Sequence, residues 1–285
     1  MGKNCWCGSG LPHEACHKAI EDKMRELRAQ GYRLPNKRLI KNAAQIEGCR
    51  EAGRINAMVL DKVAENIRIG MSTQDIDDIV HSYTKELGGI PATLGFEGYP
   101  KSVCTSVNDQ VCHGIPSKKV ILQEGDIVNV DCTTVYNGFV GDASRMFCLG
   151  EISENAKKLV ETTREAVDIA VSHLKPYCHL GDIGYYINKH ARENGFHVVR
   201  DIGGHGVGLS MHEDPYVCHI GRLGHGILLI PGMIFTIEPM INETSGDFWM
   251  DEQDGWGIYT VDGTLSAQVE YMILITEDGY EILSK

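Results

Sequence analysis

The sequence predicts an α+β fold of two like halves, each ordered helix, helix, strand, strand, closing over a shared cleft. Three features carry this: landmarks that recur at an offset of 107 residues, an Asn-Gly turn between two β-rich runs, and acids that interrupt otherwise apolar strands.

Residues 1–41 form a leader. Its start, Cys5-Trp6-Cys7-Gly8-Ser9-Gly10-Leu11-Pro12-His13-Glu14-Ala15-Cys16-His17, offers Cys-x-Cys and then Cys-His. Cys5, Cys7, Cys16 and His17 suit a closed, tetrahedral Cys3His zinc site. Too few residues lie here for an apolar core, so bound zinc would supply the folding free energy. The leader also holds nine Lys/Arg against four acids, whereas the rest of the chain holds 18 against 35. A basic helical linker is therefore expected, attracted to a polyanion such as RNA, while the acidic body is not.

The body spans 42–285, with halves at about 42–149 and 150–285. In the first half, Leu60, Val63, Ala64 and Ile67 line one helix; in the second, Val167, Ala170, Val171 and Leu174 match them. Asp75-Ile76 opens a second helix that stops at Gly88, and Asp182-Ile183 opens its counterpart, which stops at Gly195. Gly125 then begins the strand that reaches Asp131, and Gly232 the strand that reaches Glu238. Each acid lies six residues beyond its glycine.

Strand geometry brings acids together. With Asn137-Gly138 as a two-residue hairpin turn, Tyr136 pairs with Phe139 and Thr133 with Asp142. Side chains repeat every two residues on a strand face, so Asp131, Thr133 and Asp142 share one face. Glu238 takes the matching position in the second half, and Glu270 interrupts the apolar run Ala267–Ile275. Two unit charges about 4 Å apart at an effective dielectric near 20 repel by roughly 4 kcal/mol. Four converging acids must share protons or hold cations. His205, flanked by Gly203, Gly204, Gly206 and Gly208, offers an imidazole with close backbone approach; His113 and His212 are further candidates. Carboxylate-rich, imidazole-poor coordination suits manganese, iron(II) or cobalt.

Bulk properties exclude other classes. No apolar run approaches the roughly 20 residues of a membrane helix; Pro231 and Gly232 interrupt the best, Ile227 to Phe235. The first residues lack the basic-then-apolar order of a secretory signal. Seven of ten cysteines are scattered through core-like segments, which fits reduced thiols in the cytoplasm rather than a disulfide framework.

From about residue 42 onward the chain resembles methionine aminopeptidases of the bacterial type I class, whose fold is the pseudo-twofold "pita bread" architecture around a dinuclear metal cleft. The resemblance rests on Gly98-Tyr99-Pro100-Lys101-Ser102-Val103-Cys104, Val111-Cys112-His113-Gly114-Ile115-Pro116, Asn129-Val130-Asp131 and Gly141-Asp142-Ala143-Ser144. It continues through Gly204-His205-Gly206-Val207-Gly208, Phe235-Thr236-Ile237-Glu238-Pro239 and Ser266-Ala267-Gln268-Val269-Glu270. Only 32 residues lie between His205 and Glu238, without the helical insertion of type II enzymes.

The resemblance implies a hydrolase that removes the N-terminal methionine of nascent polypeptides, preferring a small second residue. Asp131, Asp142 and Glu270 would hold one divalent ion; Asp142, His205, Glu238 and Glu270 would hold the other. Glu238 would be the general base, with His212 on the scissile carbonyl oxygen and His113 on the departing amide nitrogen. Phe96, Tyr99, Cys104, Met211 and Trp256 are the candidates for the methionine pocket. Thr93, Glu97 and Met211 depart from the family's usual residues there. The leader resembles the zinc module of the bacterial preprotein translocase motor protein, which implies docking to the ribosome. A monomer is expected. Two alternatives remain at this stage, a proline-directed (Xaa-Pro) peptidase of the same fold and a binding module that kept the fold without the chemistry.

Overall fold

A computed structural model describes residues 4–285; Lys3, one of the leader's nine basic residues, lies outside them. The leader carries helix α1 (Lys18–Ala29). Helices α2 (Ala43–Asn66) and α3 (Thr73–Glu86) open the first half, and α4 (Glu154–Ser172) and α5 (Leu180–Glu193) the second.

The 107-residue offset is kept bond by bond. Ile90 pairs with Val135 as His197 pairs with Asn242. Ser72 bridges Ile121 as His179 bridges Leu228. The Leu122 N–H reaches the Met71 carbonyl at 2.8 Å, and the Leu229 N–H reaches that of Cys178 at 2.8 Å. Gly125 and Gly232, with φ of 93° and 92°, enter the matched strands Ile127–Tyr136 and Ile234–Ile237. Both halves turn the chain there through the left-handed region that glycine adopts without strain.

Local chemistry explains where the elements start. α3 and α5 begin two residues before the acids expected to open them. Asp75 and Asp182 stand in the third helical position and accept hydrogen bonds from the Ser72 and His179 N–H groups at 2.7 and 3.1 Å. Each helix closes two residues ahead of a glycine at positive φ, Gly88 and Gly195. Ala64 is exposed rather than on the buried stripe, which runs through Val59, Leu60 and Val63.

The sheets also differ from the sequence reading in two places. Asp131 lies mid-strand, whereas Pro239, which has no N–H to donate, breaks the second strand just past Glu238. The expected strand Ala267–Ile275 is two strands, Ser266–Gln268 and Tyr271–Ile275, parted at Val269-Glu270. Glu270 instead bridges Ser144 of the other half, so the break is the seam between the two sheets. The hairpin has the expected register: Tyr136 opposes Phe139 and Thr133 opposes Asp142.

Helices pack on the outer faces of these sheets. One apolar core lies under α4 and α5, around Leu159, Ile183, Ile187 and Phe235, and a second under α2 and α3, around Leu60, Ile76 and Val130. α2 presses so closely on the hairpin that a Cβ on Gly141 would stand 2.3 Å from the Ala52 carbonyl oxygen. We expect Gly141→Ala to lower unfolding stability by about 1–3 kcal/mol, read as a reduced urea midpoint with an unchanged m-value.

Candidate metal centre

The seam gathers the four acids. Asp131 and Asp142 come from the hairpin's inner face, where the Thr133 hydroxyl donates to Asp142 Oδ1 at 2.8 Å. Glu238 follows the strand Ile234–Ile237, whose last residue opposes Tyr271, so Glu238 and Glu270 stand together at the end of that ladder. The Ser144 and Glu270 backbones exchange hydrogen bonds at 3.4 and 3.2 Å, tying Glu270 beside the hairpin. Asp142, Glu238 and Glu270 are buried and Asp131 half-buried.

His205 enters from the strand Gly204–Gly206, held against Ile234–Ile237 by the Gly206–Phe235 pair. A Cβ on Gly204 would lie 2.4 Å from the Thr236 carbonyl oxygen, so only glycine allows this approach. His205 Nδ1 lies 3.0 Å from the Gly206 carbonyl oxygen and donates to it. That bond leaves the Nε2 lone pair turned to the acids, 3.4 Å from Glu238 Oε1 and 3.9 Å from Asp142 Oδ2. One ligand atom from each of Asp142, His205 and Glu270 lies within 4.8 Å of the others.

Electrostatics test whether a cation fits. Burial pushes the Asp142 carboxyl up to about 7. Burial raises Asp131 well above the usual carboxylate range, reinforced by the Asp142 charge. Glu238 rises through burial and the Asp131 charge, and Glu270 through burial and the Asp142 charge. Among the described residues their ion-pair contacts are to His205 alone. Glu270 Oε2 is buried without a hydrogen-bond partner. An orphaned oxygen amid acids that repel one another is what divalent cations would satisfy, and the donor set, oxygens with one imidazole, suits hard-to-borderline ions.

A cleft of about 400 Å³ opens onto the acids, and every residue expected to contact substrate lines it: Phe96, Tyr99, Cys104, Met211 and Trp256, with His113 and His212. The His212 ring stands edge-on to those of Phe96 and His205, at 5.1 and 4.3 Å. Burial pushes both His113 and His212 down to about 4, so each is neutral near pH 7, with one nitrogen donating and the other accepting. The structure adds Asp201, Ile202 and Tyr216 to the lining, which no motif singled out. It also brings in His219, whose buried Nε2 accepts from the Glu238 N–H at 3.1 Å.

The leader brings its four candidates together as well. The Cys5 and Cys16 sulfurs each lie 3.2 Å from His17 Nδ1, and the Cys7 and Cys16 sulfurs are 3.5 Å apart. Tetrahedral zinc, with Zn–S about 2.3 Å and Zn–N about 2.0 Å, needs ligand separations of this size. His17 Nε2–H donates to the Ile40 carbonyl at 3.3 Å, which keeps Nδ1 free for a metal.

Known proteins place the chain. Residues 47–277 match the model of metallopeptidase family M24. Methionine aminopeptidase A of Synechocystis sp. is 47% identical over 84% of this chain and 94% of its own length. The methionine aminopeptidase of Chlamydia trachomatis is 41% identical over 98% of this chain and 97% of its own, so the similarity takes in the leader. The crystal structure of methionine aminopeptidase from Rickettsia prowazekii superposes with a TM-score of 0.85 at 40% identity, covering 86% of this chain and 99% of that one. Sequence, fold and the converging acids agree: the chain belongs to metallopeptidase family M24, and within it to the methionine aminopeptidases.

Proposed function

We propose that the chain removes the N-terminal methionine from nascent polypeptides, hydrolysing the first peptide bond where the second residue is small. The observation that carries this is a cleft of about 400 Å³ floored by four acids and one imidazole and walled in part by Phe96, Tyr99, Met211 and Trp256. Asp131, Asp142, His205, Glu238 and Glu270 would hold two divalent cations, manganese, iron(II) or cobalt. When bound, such a pair lowers the pKa of a shared water and polarises the scissile carbonyl.

The residues divide the remaining work. Glu238 takes a proton as water oxygen bonds to the carbonyl carbon, and returns it to the amide nitrogen as the C–N bond breaks. Its carboxylate is aimed by the Thr236 hydroxyl at 2.7 Å and the Gln268 amide at 3.2 Å. Neutral His212 donates to the carbonyl oxygen as that atom gains charge. Neutral His113 accepts from the scissile N–H and so orients the departing residue. Phe96, Tyr99, Cys104, Met211 and Trp256 enclose the methionine side chain, with the Trp256 ring edge-on to Tyr99 at 5.1 Å.

The leader has a separate task in this reading. Cys5, Cys7, Cys16 and His17 bind zinc, and the leader, with nine Lys/Arg against four acids, docks on ribosomal RNA, close to emerging chains. No helix among the described residues is long and apolar enough to cross a membrane. Action in the cytoplasm as a monomer completes the proposal.

Three outcomes test it. Glu238→Gln should lower kcat on Met-Ala-Ser by about 10²–10⁴-fold, and an undiminished rate would remove Glu238 as the base. Chelation should abolish release of methionine from Met-Ala-Ser, with manganese or cobalt restoring it; the intact enzyme should cleave Met-Pro peptides far more slowly. Cys5→Ser should carry one zinc fewer by metal analysis and sediment less with ribosomes, and sedimentation equal to wild type would count against docking.

A further inference from the structure

One buried ion pair has no part in the chemistry above. The Lys41 side chain is 1% exposed, and its ammonium meets Glu213, 172 residues further on and 14% exposed. Lysine is almost never fully buried unless paired, because its charge gives up hydration. Glu213 takes Lys41 on Oε2 and uses Oε1 differently: it accepts the N–H groups of Leu209 and Ser210 at 2.7 and 3.0 Å. One carboxylate thus joins the end of the leader to a loop that runs over the cleft.

Two backbone bonds also shape that loop: the Val140 N–H donates to the Gly208 carbonyl at 2.9 Å, and the Gly208 N–H to that of Ser210 at 3.2 Å. The loop leaves the strand Gly204–Gly206 through Gly208, at φ 125°, where a Cβ would stand 2.6 Å from Cys49 Sγ and 3.6 Å from Lys41 Cε. It ends in the strand Glu213–Val217, where Glu213 opposes Gly206. Between these anchors stand Met211 and His212, both facing the cleft. Lys41 itself is fixed at the backbone: its N–H donates to the Gly232 carbonyl at 2.9 Å, and Ile40 bridges Met233.

We infer that Lys41 is a positioning residue: it holds Glu213, and through it the 209–213 loop, so that His212 points at the reacting carbonyl. This rests on the role given to His212 above. The pair acts as a latch rather than as a catalytic group, since neither charge lines the cleft.

Hydrogen exchange and kinetics on the full-length, manganese-loaded chain test this separately from the role of His212. In Lys41→Met, the amides of Leu209 and Ser210 should exchange at least tenfold faster than in wild type, while the hairpin Ile127–Cys148 keeps its protection. Glu213→Ala should free the same two amides and serves in place of Lys41→Met should that variant not fold. Turnover of Met-Ala-Ser should fall at least tenfold in Lys41→Met, and adding Lys41→Met to His212→Ala should cost nothing more. Undisturbed protection of 209 and 210 in the variants, or losses that multiply in the double variant, would overturn the latch. If His212→Ala turns over like wild type while Lys41→Met frees the loop, the latch stands and the reading of His212 fails.

Discussion

Four carboxyl groups meet in one desolvated seam, and the architecture follows from having to hold them there. The first half delivers Asp131 and Asp142 on the inner face of a hairpin and the second delivers Glu238 and Glu270 at the end of a ladder, with helices packed on the outer faces. The price is mutual repulsion, visible in carboxyls raised above their usual range by burial and by one another. Cations held there would relieve that repulsion, so binding metal would also stabilise the closed pair of sheets. Nearby bonds serve the same end: Thr133 on Asp142, Thr236 and Gln268 on Glu238, and the Gly206 carbonyl on His205 each fix which way a donor atom faces.

Most of the site was legible because its residues lie on regular elements with short-range signals. An Asn-Gly turn sets the register that puts Asp142 beside Asp131, and glycines at a fixed spacing mark both strand entries. The break at Glu270 was not legible. An apolar run with one acid reads as a continuous strand, whereas the chain changes sheets there because Ser144 of the other half captures its backbone. Nor could local pattern find His219, whose partner is a backbone N–H 19 residues away, or the Lys41–Glu213 pair, whose members lie 172 residues apart. Such contacts depend on how the halves dock, and nothing in either neighbourhood announces them.

The leader is bound to the body through apolar packing as well as backbone: Met24, Leu27 and Ile40 are buried in the core under α4 and α5. His17 sits between its cysteines and the Ile40 carbonyl, and the next residue carries the ammonium that reaches Glu213. Its three cysteines and His17 form a cluster physically separate from the acids, with sulfur-rich donors on one side and oxygen-rich donors on the other. Soft and hard ligand sets of this kind select different ions from the same pool.

The matched halves are unequal in one respect. Ile127 pairs with Cys148 across a two-residue turn, but Ile234 reaches its partner Leu274 only after an excursion through the strands Phe248–Met250 and Ile258–Thr260. Trp256 rides on that excursion, and Ile258 packs it against Cys112, next to His113. Asp131 and Glu238 therefore occupy the duplicated template, while Trp256, on one wall of the cleft, occupies a stretch with no counterpart. Descent can reshape that stretch, and with it one wall of the cleft, without shifting any acid.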